Sequence, residues 1–200
     1  MKSPEISGRR PPPDQAPGLA RLHHALKSEI GLLPLDELLL LIERRLGDPG
    51  LRGITYDYAE RVLPVLQAAL PGDPLPGRIM AQWRQWTHGQ PVNAEWITAQ
   101  TDRLRARVVS AAPTDLWLQW PEPGLGVLIA VGTLRAVALR WDTLVMARAS
   151  ADLVRQTFRA ACANGTFSVC RHKGYQQAYD AELAWQTHHA RSLLARYHPS

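Results

Sequence analysis

Through most of the chain apolar residues return every third or fourth position, the spacing of helices with one buried face. Ile54 to Gln90 carries that pattern most fully. Tyr58, Val62, Val65, Leu66, Ala69 and Leu70 form one stripe, with Thr55 as a candidate N-cap. Asp57 and Arg61 lie four apart on the other side, acid first. Pro64 falls inside this helix, where a lost backbone hydrogen bond predicts a bend. Pro71-Gly72-Asp73-Pro74 should stop it. Pro76 then opens a second helix with Ile79, Trp83 and Trp86 at i, i+4 and i+7, closed by Gly89. Indoles at that spacing predict core or a helix contact before ligand stacking.

The same period predicts helices on either side. Leu19 to Ile30 makes a short one. Leu35 to Leu46 faces Leu38, Leu39, Ile42 and Leu46 one way, with Asp36 and Glu37 in the first turn and Arg44 and Arg45 in the last; Gly47 and Pro49 should end it. Asn93 is a candidate N-cap for Ala94 to Ala111. Pro113 to Gly126 reads as a loop. Val127 to Leu139 is apolar nearly all round and predicts the central, most buried helix. Asp142 to Ala163 and Tyr175 to Tyr197 complete the set. Gln186 falls within the last apolar stripe, so it should bond to a neighbour. The fold class expected is all-α: one helical bundle of about seven to eight helices over residues 18–200, behind a disordered Pro-rich tail at 1–17.

Composition narrows this picture. In 200 residues, 46% apolar, the chain can enclose a sizeable core. Its formal charge is +5, and the excess lies in the second half: residues 1–100 hold 11 basic and 11 acidic side chains, residues 101–200 hold 12 and 7. That admits an acidic partner or nucleic acid. The N-terminal residues have no apolar core of a secretory signal, and the longest apolar run, broken by Arg135, is too short to span a membrane. A soluble cytoplasmic protein is expected.

Candidate chemistry is sparse. The glycines at 124, 126 and 132 lack phosphate-loop spacing. Adjacent His23 and His24 diverge on a helix, and Cys162, Cys170 and His172 do not match zinc-ligand spacing, so no metal or cofactor is predicted and both thiols are expected free. Arg148, Arg155 and Arg159, with Asp152 among them, run along one edge of an apolar face. Their stems can cover the rim of the core while their heads stay wet, or they can grip a carboxylate- or phosphate-bearing partner. An enzyme would need a cleft bringing His172, His188 or His189 beside a carboxylate; none is predicted.

Two blocks resemble a known family. Ala59, Glu60, Arg61, Val62, Leu63 and Pro64, then Asp73 and Pro74, then Trp86 and Gly89, resemble its Ala-Glu-Arg-Val-Leu-Pro motif, Asp-Pro turn and Trp-x-x-Gly helix end. Glu182-Leu183-Ala184-Trp185-Gln186 resembles its closing Glu-x-x-Trp-Gln helix. The family is an all-helical group of immunity proteins, the fifth numbered one, found beside bacterial polymorphic toxins. Between the blocks the chain departs, since Val131 to Ala151 has no histidine, and the first 50 residues have no counterpart. The resemblance implies a non-catalytic protein that neutralises a cognate toxin by direct one-to-one binding. Asp57 and Glu60 are then the acidic candidates on a binding face. The alternative is a helical adaptor gripping an acidic protein or nucleic acid through the arginine rim.

Overall fold

The helix expected to end at Gly47 does not end there. In this computed structural model, which describes residues 33–111, 121–139, 141–162 and 174–196, α1 runs Leu35–Glu60 with a kink at Gly47 (φ 61°, ψ −162°). Glycine reaches that conformation without a Cβ clash. Pro49, which needs no N–H donor in a first turn, restarts the helix. Thr55 therefore lies mid-helix and buried, its hydroxyl donating to the Leu51 carbonyl at 2.6 Å, and it caps nothing. Pro64 does not bend a helix either. The chain breaks at Arg61 and Val62, and Pro64 sits in the first turn of a new short helix, α2 (Leu63–Ala69).

Asp73 fixes the next turn. Its carboxylate accepts from the Leu75 amide at 2.9 Å and from Arg107 at 2.7 Å. Desolvation works against that charge, yet the Leu75 amide and the Arg107 guanidinium hold the carboxyl below its ordinary 3.8. α3 (Leu75–Thr87) follows, and α4 (Ala94–Ala111) opens on Asn93, which accepts from the Trp96 amide at 2.9 Å as expected of a cap. α5 (Pro121–Arg135) begins six residues earlier than the pattern suggested, because Pro121 and Pro123 fit a first turn, and it tightens into a 3₁₀ turn at Ala136–Leu139. α6 (Thr143–Ala161), capped by Asp142, and α7 (Tyr175–Arg196) complete the described helices.

No strand occurs among the described residues, and the bundle is all-α. Among the described residues six helices have 13 residues or more and α2 has seven, against seven to eight foreseen for the chain; two of the expected helices join into α1. The hub is α6, which packs against α5, α1 and α7. The stretch expected to be the most buried, Val127 to Leu139, does carry the largest buried share among the described helices, although Gly132 faces outward. Leu38, Ile42, Ile54 and Tyr58 of α1, Trp83 of α3, Leu104 of α4, Leu134 of α5 and Val154 of α6 are fully buried. The Trp83 indole donates to the Leu134 carbonyl at 3.0 Å, which makes it core as predicted. These helices belong to the unit Pro34–Ser200; the expected tail at 1–17 and helix at Leu19 to Ile30 lie outside the described residues. Among the described residues no helix is long and apolar enough to cross a membrane.

Cys162, at the C-cap of α6, is disulfide-bonded, which corrects the expectation of a free thiol. The chain's other cysteine, Cys170, lies outside the described residues. Such a bond is rare in reducing cytosol; two cysteines at this spacing carried no signal of it.

α5 and α6 touch backbone to backbone. A Cβ on Gly126 would stand 2.4 Å from the Ala161 nitrogen, whereas one on Gly132 would meet nothing within 4 Å. Gly126→Ala should cost about 1–3 kcal/mol by forcing the helices apart. Gly132→Ala should gain about 0.5–1 kcal/mol by stiffening the unfolded chain. Urea melts of the two variants check the contrast.

Candidate functional site

Along α7, Glu182, Trp185, Gln186 and His189 fall at i, i+3, i+4 and i+7, one face of a helix. That face lies against the last turns of α1, and the two sequence blocks meet there. Arg61 donates to Glu182 through Nη2 at 2.7 Å and Nε at 3.4 Å, and the buried Tyr58 hydroxyl donates to the Gln186 carbonyl at 3.2 Å. Burial pushes the Tyr58 phenol well up. It also raises the Glu182 carboxyl, against the opposing pull of Arg61, Gln186 and Arg155.

Gln186, fully buried, is tied down as the sequence predicted. Its Nε2 donates to the Ala151 carbonyl at 3.0 Å and to Glu182 at 3.5 Å, and its Oε1 accepts from Arg155 at 2.9 Å. One amide thus links α6 to α7. Around it the rings form a second layer. The Arg61 guanidinium lies 4.2 Å from the Trp185 ring centre and 5.3 Å from that of Phe158. The His189 imidazole stacks on Trp185 at 5.0 Å and 7°, and its Nε2 is 2.7 Å from the Asp57 carboxylate.

The arginine rim resolves residue by residue. Arg155 is largely buried, 13% exposed, with Nη1 donating to Gln186, Nη2 to Asp152 and its head over Tyr179 at 5.6 Å; its buried Nε has no partner. Arg148 pairs with Asp36 at 3.6 Å. Arg159 is exposed and has no ion pair or hydrogen bond among the described residues. Glu60 is exposed and accepts from Tyr56 at 3.1 Å, while Arg84 donates to the same Tyr56 hydroxyl at 3.3 Å. The solvent side of α1 therefore joins α3 on one flank and α7 on the other.

On the α3 flank stand the other two motif residues, Trp86 and Gly89, and both touch Arg52. The Arg52 guanidinium lies 5.7 Å from the Trp86 ring centre, and Trp86 meets Trp83 edge-on at 5.7 Å. Gly89 takes φ +74°, and a Cβ there would stand 3.0 Å from Arg52 Nη1. Sequence reasoning missed Arg52, because no spacing along the chain links it to a tryptophan 34 positions on. His189 was named only as one of three histidines that an enzyme would need beside a carboxylate, and Asp57 was not linked to it; the structure pairs them. No hydroxyl or thiol among the described residues is hydrogen-bonded to His189, and no group of three or more His, Cys, Asp or Glu there could hold a metal ion. Comparisons with protein families, curated proteins and solved structures gave no match.

Two stability measurements check this cluster. Gln186→Leu leaves the Ala151 carbonyl without its donor and Arg155 without its acceptor, and should cost roughly 1–3 kcal/mol. Glu182 has a native pKa above its ordinary 4.5, so the fold takes up its proton more readily than the unfolded chain does. Its contribution is full below 4.5 and is lost as pH rises through the raised native value. Wild type should therefore lose stability relative to Glu182→Gln as pH rises from about 4 to about 7, read from paired urea melts.

Proposed function

We propose that the chain is a non-catalytic binding protein, similar to immunity proteins that neutralise a cognate bacterial toxin by direct one-to-one binding. The observation that carries this is the meeting of the two resembling blocks: Arg61 with Glu182, and Tyr58 with Gln186, across more than 120 residues of sequence. A shared motif pair that locks α1 to α7 is what a common scaffold requires.

The outside of that lock supports the same reading. Tyr56, Asp57 and Glu60 of α1 and Arg61 at its C-cap lie between Arg84 and Trp86 of α3 and Trp185 and His189 of α7, all at least partly exposed. Trp, Tyr and Arg are the side chains that most often carry binding energy at protein interfaces. The acids among them make a nucleic-acid backbone a poor fit by like-charge repulsion.

A toxin-domain gene directly upstream of the gene for this chain, co-expressed with it, tests the proposal. Growth should be restored, and the purified pair should run as a 1:1 complex that persists between about 50 and about 200 mM salt. No restored growth, or binding that collapses steeply over that range, would overturn it; the second outcome is the signature of the adaptor gripping phosphates through Arg148 and Arg159.

A further inference from the structure

We propose that Arg52, held between Trp86 and Gly89, is a docking site for an acidic side chain of a protein partner. This rests on the binding reading above and adds the chemistry of one contact. Other arginines of the bundle make side-chain hydrogen bonds: Arg61 to Glu182, Arg84 to Tyr56, and Arg155 to Gln186 and Asp152. Arg52 makes none among the described residues. Its ion pair with Asp48 stands at 3.6 Å, outside hydrogen-bond reach, and its buried Nε, like that of Arg155, has no partner.

The head is nonetheless fixed. It rests over the Trp86 ring, and the missing Cβ at Gly89 leaves room for Nη1. A guanidinium immobilised on a ring has already lost most of its rotamer freedom, so its planar fork is ready for a carboxylate. Its side chain is 27% exposed, enough for a partner group to reach it.

The surroundings select among anions. Asp48 lies beside Arg52 at 60% exposure and Glu60 is exposed on the same helix. A chain of phosphates would meet those carboxylates as well as the arginine. A protein offering one acid flanked by basic residues would pair with all of them.

The test follows the Arg52 Nε–H and Trp86 indole N–H signals by ¹⁵N NMR. The probe is the peptide acetyl-Lys-Glu-Lys-amide, with acetyl-Lys-Gln-Lys-amide as its control. The Glu peptide should shift both signals saturably, and the Gln peptide should bind about tenfold more weakly or worse. Arg52→Lys, whose fold is checked by its melting curve, should lose the Trp86 response to the same degree; Arg52→Gln serves if the lysine variant does not fold. No saturable shift with the Glu peptide, an equal response to the Gln peptide, or a stronger response to an oligothymidylate would each overturn the assignment. Failure to restore growth beside a toxin, with the peptide response intact, removes the toxin and keeps the carboxylate site.

Discussion

The described bundle depends on one amide. Gln186 sits on the apolar stripe of α7, where an unbonded amide would cost on the order of 1–3 kcal/mol. Its three hydrogen bonds, to the Ala151 carbonyl, to Glu182 and from Arg155, convert that cost into a constraint. The bonds to Ala151 and Arg155 fix the register of α7 against α6, while the one to Glu182 lies within α7. The same register presents Glu182 to Arg61 and the Gln186 carbonyl to Tyr58, so α1 is located by the same set of bonds. Apolar packing supplies most of the driving force for such a bundle, and the polar set decides which packing is adopted.

Much of this was legible from residues alone. Leu38, Leu39 and Ile42 are buried because their spacing left no other face for the core, and Asn93 caps α4 because its side chain was the nearest acceptor for the free amides there. Gln186 was predicted to find a partner from its place among apolar neighbours. What failed were judgements made on local signals. Gly47 and Pro49 spell a helix stop over three residues, yet the chain re-enters helix because burying both halves of α1 against the core outweighs one kink. Thr55 reads as a cap only if the helix starts beside it.

Contacts between helices were the least legible. Arg155 stood at the edge of an apolar stripe, from which an arginine can turn outward to water or inward to a buried acceptor, and the presence of Gln186 on another helix decided it. Arg52 could not be tied to Trp86, nor Asp57 to His189, without knowing that α3 and α7 flank α1. The motif blocks did point to these places, but as letters. Their physical content is a guanidinium over Trp185 and another over Trp86.

The central position of α6 has a mechanical consequence. A helix that touches α1, α5 and α7 at once, with backbone contact at Gly126, ties these described helices to one another through a single element. A docking molecule would then meet a template whose side chains are set in advance. The entropy usually surrendered in stiffening a soft surface on association is already accounted for by folding, and the affinity of the contact is spared that loss.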